Sequence, residues 1–256
     1  MNERKYLDEL REKGNLGENV GYAVLLLARS YCAEGCSMDV VKNRLSYDLR
    51  RYEPLLNVNQ RESYISNALK NADKSGLVKV DEILITKSEM DNVMGITSDN
   101  NAFRVKSLRR LAFALLCFAK FEMAKGGNDG WINCDLKCVY RAAKLTGRSQ
   151  SQNNLYMHVL YEKGLVRFAP RKNRVGVRVN FVDNSENADI AVRVNDINYA
   201  GDYFLKYTGK KYIECAVCGR ITPRKNNRSL YCPECAVIVN REKTRVRMSD
   251  PGKTSV

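Results

Sequence analysis

Arg148-Ser-Gln-Ser-Gln-Asn-Asn-Leu-Tyr-Met-His-Val-Leu-Tyr-Glu-Lys-Gly-Leu-Val166 reads as one helix with both of its ends marked. Polar residues suited to capping open it near Ser149, and Met157 and Leu160 lie three apart, the spacing of a core-facing stripe. Gly164 stands where a helix C-cap needs a positive φ, and Leu165-Val166 are placed to fold back on the core and begin a strand. Downstream, Val175, Val177, Val179 and Phe181 alternate with Gly176, Arg178 and Asn180, the period of a half-buried strand. With Pro170 to Asn173 as the turn, the segment after the helix is a hairpin.

Upstream, Leu111-Ala-Phe-Ala-Leu-Leu-Cys-Phe-Ala119 is too apolar all round for a surface helix, and Asn133-Cys-Asp135 caps a shorter helix at Leu136. The same order occurs earlier in the chain. Tyr22-Ala-Val-Leu-Leu-Leu-Ala-Arg29 matches the apolar helix, Ser37-Met-Asp39 caps the next, and Asn59-Gln-Arg-Glu-Ser63 opens a third. That third helix closes on Asp73-Lys-Ser-Gly-Leu-Val78, near-identical to Tyr161-Glu-Lys-Gly-Leu-Val166, and the apolar stretch Lys79–Thr86 follows. The first unit therefore repeats the second, but with a vague hairpin and with Asp81-Glu82 in the place of its tip.

Three helices followed by a hairpin, with Gly-Leu-Val closing the third, resembles the winged helix-turn-helix superfamily. The resemblance covers both units. It implies that the third helix enters a DNA major groove while the hairpin touches the backbone. Arg148, Ser149, Gln150, Gln152 and Asn153 are then the groove-facing residues: Gln and Asn can pair adenine bidentately and Arg guanine, and a helix N-terminus also suits a phosphate. Ser, Gln and Asn equally serve as plain caps and solvated residues. The turn Arg171-Lys172-Asn173-Arg174 tips the balance toward backbone contact.

Charge separates the two units. The chain carries a net charge of +14. Residues 1–100 hold 14 Lys/Arg against 16 Asp/Glu, residues 101–183 hold 16 against 5, and residues 184–256 hold 13 against 8. A polyanion is thus expected on the second unit, and an assembly role on the first, as a homodimer or on a protein partner.

Near the C-terminus, Cys215-Ala-Val-Cys218 and Cys232-Pro-Glu-Cys235 are two Cys-x-x-Cys knuckles, spaced to bring four thiolates round one structural Zn²⁺. A closed four-thiolate shell leaves no position to activate water. Arg220, Arg224, Lys225 and Arg228 lie between the knuckles, and Arg241, Lys243, Arg245 and Arg247 follow them. This is similar to small four-cysteine ribbons with a trailing basic helix found in proteins of Firmicutes and their phages, which implies contact with nucleic acid or with protein. Residues 184–212 are the least readable; a strand is expected over Ala188–Val194, and Tyr199, Tyr203, Phe204, Tyr207 and Tyr212 are expected to dock the ribbon, with stacking on single-stranded bases as the alternative.

The expected fold is therefore mostly α with short β-hairpins: winged-helix-like units over 1–100 and 101–183, a connector over 184–212, and a zinc ribbon with a basic tail over 213–256. One histidine, His158, leaves most acid–base and nucleophile dyads without a member, so an enzyme is not expected. The opening residues lack a signal core and no run is long enough to span a bilayer, so a cytoplasmic setting is expected, with the nine cysteines as ligands or free thiols. The expected function is sequence-selective binding of double-stranded DNA, in transcription regulation or replication initiation of a phage or mobile element. Alternatives are a protein-binding adaptor or inhibitor of a nucleic-acid machine, and a binder of RNA or single strands.

Overall fold

The computed structural model describes the chain apart from residues 1–2, 18, 73–75, 98–103, 128, 148, 172–173, 186 and 250–256. The chain is mostly α with short antiparallel strand pairs, and it divides into two compact units, Met1–Asp81 and Glu82–Val256. No helix among the described residues is long and apolar enough to cross a membrane.

The first unit is all helical: α1 (Glu3–Lys13), α2 (Val20–Ala33), α3 (Met38–Tyr52) and α4 (Val58–Asn71). Because α2 is apolar on most of its faces, it sits in the middle, with Val24, Leu26 and Leu27 buried against Leu7 of α1, Leu45 and Leu49 of α3 and Ile65 of α4. The hairpin expected after α4 is absent among the described residues. Instead Glu3, only 8% exposed, takes the space: its carboxylate accepts from the Val78 amide (2.7 Å), Arg29 (3.1 Å) and the Tyr22 hydroxyl (3.2 Å), and its own N–H donates to the Val78 carbonyl (2.9 Å). Residues 79–82 contain no turn sequence to reverse the chain, so the apolar stretch that follows finds its partner far downstream.

That partner is in the second unit. Strand β1 (Ile83–Thr86) pairs antiparallel with β5 (Ile190–Val194), Ile83 opposite Val194. Residues 83–94, read from sequence with the first unit, belong by pairing to the second. Helix α5 (Lys87–Met94) follows β1 directly, opened by a capping box between Thr86 and Glu89. Glu89 is fully buried, yet each of its oxygens is satisfied: Lys120 donates to both (2.8 and 2.9 Å), the Thr86 amide to one (2.8 Å) and the Asp183 amide to the other (2.8 Å). One carboxylate thus ties β1, α5, the central helix and the segment before β5.

The central helix is α6 (Val105–Ala124), whose apolar residues are buried on nearly every side. Around it run β2 (Trp131–Ile132), α7 (Leu136–Ala142), α8 (Gln150–Glu162), β3 (Val166–Arg171) and β4 (Arg174–Val179), with sheet order β2-β4-β3. The expected three helices and hairpin are present, joined by a short strand that sequence reading missed. Gly164 (φ +71°) closes α8 as expected: its N–H donates to Tyr161 (2.8 Å) and that of Leu165 to Leu160 (3.0 Å), the double bond pattern of a Schellman motif. Gly130, at φ +73°, is equally constrained, since a Cβ there would lie 2.6 Å from the Val179 carbonyl oxygen. Gly130→Ala is expected to unpair β2 from β4 and lower the stability of this unit by about 1–3 kcal/mol. The lone tryptophan, Trp131, reports that loss directly by fluorescence in urea; an unchanged midpoint would refute the strain at Gly130.

Residues 184–212 hold the strand expected over Ala188–Val194, as β5, and a helix as well. After β5, a 3-10 turn (Ile197–Tyr199) leads into α9 (Ala200–Tyr207), which lies on α6 with the Phe204 and Phe113 rings 5.7 Å apart. Strands β6 (Tyr212–Glu214) and β7 (Ile221–Pro223) form a hairpin, and α10 (Pro233–Ser249) ends the described chain.

Candidate metal centre and nucleic-acid interface

The β6–β7 hairpin positions the first cysteine knuckle. The Cys215 amide donates to the Arg220 carbonyl (2.9 Å), and the Gly219 amide turns back to the Cys215 carbonyl (2.9 Å). The second knuckle is the start of α10: Cys232 precedes it, Pro233 occupies its first position, and Cys235 lies in its first turn. The Ala216 amide bonds to the Leu230 carbonyl (2.9 Å) and draws the two knuckles together.

All four sulfur atoms lie within 4.8 Å of one another, with Cys215, Cys232 and Cys235 buried and Cys218 exposed. The Cys218 and Cys232 sulfurs are 3.7 Å apart, far beyond the ~2.05 Å of a disulfide. A tetrahedral ion with metal–sulfur bonds of about 2.3 Å sets sulfurs about 3.8 Å apart, so this arrangement can hold a metal ion. Burial pushes the Cys215 thiol up, but backbone N–H groups of Cys232, Cys218 and Val217 outweigh it and bring the group down to about 6. Burial and the neighbouring thiols push Cys235 up. Thiols this close share little negative charge until a cation joins them.

In α8, Ser149 is the N-cap, as the sequence indicates, with its hydroxyl accepting from the Gln152 amide (3.2 Å) and the Gln152 side chain accepting from the Ser149 amide (3.3 Å). Gln152 is thus engaged as a cap. Gln150 is exposed and donates to Asn154 (3.2 Å), a neighbour one turn on. Asn153 differs from expectation: it is only 6% exposed, and its side-chain oxygen has no hydrogen-bond partner. Four residues before Met157 on the same helical stripe, it faces inward with Met157 and Leu160. It is therefore not a groove-facing residue. Arg148 and Lys172 lie outside the described residues, as do the side chains of Arg171 and Arg174, whose backbones form the last pair of the β3–β4 hairpin.

Sequence reading missed a second exposed set. Leu155 (51% exposed), His158 and Tyr161 continue the outward stripe of α8, and the Tyr161 ring lies 5.4 Å from Phe168 of β3. His158 faces solvent, 3.1 Å from Glu162 one turn on. Counting from Met157 and Leu160 places Leu155 and His158 opposite the core and Tyr161 on its flank, a signal that was available. In the aromatic group between residues 199 and 212, Tyr203 and Phe204 are buried, Tyr207 is exposed, and the Arg220 guanidinium of the metal module lies 4.8 Å from the Tyr199 ring. No protein-family model matches this chain, and no curated protein or solved structure is significantly similar to it.

Proposed function

We propose that the chain is a sequence-selective DNA-binding protein in which α8 reads duplex DNA and a structural Zn²⁺ holds the C-terminal module. The observation that carries this reading is the arrangement helix–strand–helix–helix–hairpin with sheet order β2-β4-β3, in which α8 has a capped N-terminus. This arrangement supports a winged helix-turn-helix for the second unit. The large positive excess over residues 101–183 supports a polyanionic partner.

On this reading Ser149 and Gln150 stand at the groove, with Arg148 beside them, and Arg171, Lys172 and Arg174 approach phosphates. A four-thiolate shell with no water position suits zinc in a structural role, one ion per chain. The first unit, in which no wing occurs among the described residues, serves assembly. Transcription regulation and replication initiation both use this architecture, in a host cytoplasm or in a phage or mobile element. The exposed Leu155, Tyr161 and Phe168 favour a second reading, a protein-binding adaptor on a nucleic-acid machine.

Selection from a randomised duplex pool across a salt series, beside a single-stranded pool, tests the proposal. Enrichment of a short duplex motif with a log–log salt slope of several units is the expected result. Against an enriched motif, Gln150→Ala is expected to relax preference at one or two positions, a loss of about 1–3 kcal/mol in discrimination, whereas Lys172→Ala weakens all duplexes alike. No enrichment and a flat salt response sink the DNA-reader reading and leave the adaptor.

A further inference from the structure

Helix α10 has no substantial packing partner among the described helices and strands. It is 17 residues long. Helices near this length are only marginally stable alone in water, because the first turn must be fixed at a nucleation penalty of about 10⁻³ in equilibrium constant. Something must hold it, and the geometry at its first turn shows what does. The Cys232 sulfur accepts from the Cys235 amide (3.5 Å) and the Cys232 carbonyl accepts from Ala236 (2.9 Å), so Cys232 is the N-cap. Two members of the four-sulfur cluster are therefore the cap and the first turn of this helix. Four thiolates around one divalent ion also carry net negative charge, which the positive end of the helix dipole stabilises.

Beyond Val239 the helix is basic. Residues 240–245 are all exposed, and Arg241, Lys243 and Arg245 point from more than one side of it, opposed by Glu242. Arg245 touches Glu242 only at 3.8 Å, with 80% of its side chain exposed, so its charge stays largely uncompensated. We infer that α10 is a second nucleic-acid arm: its basic flank takes backbone phosphates without reading bases, and the metal cluster nucleates the helix that presents it. Nucleic acid as the partner rests on the reading given above for α8; the nucleation by metal does not. Metal and nucleic acid then strengthen each other's binding, since each stabilises the same ordered helix.

The test compares the full chain with the triple variant Arg241→Gln/Lys243→Gln/Arg245→Gln on two duplexes, the motif enriched by selection and an unrelated sequence, across a salt series. The log–log slope is expected to fall by about 2.7 on both duplexes, with metal content and the preference between them unchanged. Chelating the metal from the full chain is expected to bring its slope down to that of the triple variant and to lower its helix content, while chelating the variant changes its slope no further. An unchanged slope in the variant overturns the arm even where α8 still discriminates. A full chain that binds both duplexes equally, with the slope falling in the variant, keeps the arm and refutes selective reading. Chelation that leaves slope and helix content intact overturns nucleation by the metal. Self-association abolished by Ile238→Ser, with an unchanged slope, assigns α10 to a second copy of the chain and overturns the phosphate contact.

Discussion

Cys232→Ser is expected to leave the purified chain without its metal, and to unfold the β6–β7 hairpin and the first turns of α10 while Trp131 fluorescence stays native. The reason lies in how little else holds this module. Its buried cluster consists of Cys215, Cys232 and Cys235 with only Tyr231 packed against them. A core this small does little against the conformational entropy of some forty residues, and a bound ion would supply the difference, on the scale of about 10–16 kcal/mol for four-ligand zinc sites near neutral pH. The module also rests on α9 through β6 and β7, with Ile221 buried, and the contact of Arg220 over Tyr199 adds about 1 kcal/mol. Metal analysis beside hydrogen exchange of amides 213–240 makes the measurement. Full protection of these amides after complete chelation would falsify the structural role of the metal. Because protons compete for the thiolates, metal affinity should also weaken as pH falls.

The second large effect is expected at the buried ion pair. Lys120→Met removes the cation that donates to both oxygens of Glu89 and to the Asp183 carbonyl, and strands a carboxylate with no exposure. Losing one partner of a buried pair costs about 3–5 kcal/mol, against a smaller loss for Glu89→Gln, which keeps an acceptor for one of the two backbone amides. Replacing both partners by apolar residues does not restore stability, because the Thr86 and Asp183 amides would then be buried without acceptors, at about 1–3 kcal/mol each. Urea unfolding followed at Trp131 distinguishes these cases. A shift below about 1 kcal/mol for Lys120→Met would show that the network is not holding the unit.

Local chemistry was the legible part of this chain. Ser149 and Gly164 mark the ends of α8 because capping depends on residues within one turn, and the cysteine knuckles stand out because a tetrahedral site restricts spacing so tightly. Long-range pairing was not legible. Nothing in Ile83-Leu-Ile-Thr86 distinguishes a strand that pairs with its neighbour from one that pairs with residues 190–194, so the repeat of helices was extended to a wing that is absent among the described residues. Strand β2 is two residues long and exists only because β4 offers it an edge. Helix α1 was missed although Leu7 and Leu10, three apart and both buried, carry a helical stripe; what the sequence does not show is the reach of Glu3 to Tyr22, Arg29 and Val78. Asn153 was misplaced for a different reason: its amide side chain looks outward by type, and only the helical phase from Met157 shows that it points in.

The pairing of β1 with β5 also sets a timetable for biosynthesis. The first unit closes its core entirely within its own residues and is free to fold as soon as it leaves the ribosome. Strand β1 emerges next, but its partner is made roughly a hundred residues later, which at about 5–20 residues per second is a delay on the order of 5–20 seconds. Throughout that interval Ile83 and Ile85 are an unpaired apolar edge, and for most of it Glu89 lacks the Asp183 amide. A nascent chain stalled between residues 95 and 190 is therefore the form of this protein most exposed to aggregation and most in need of a chaperone.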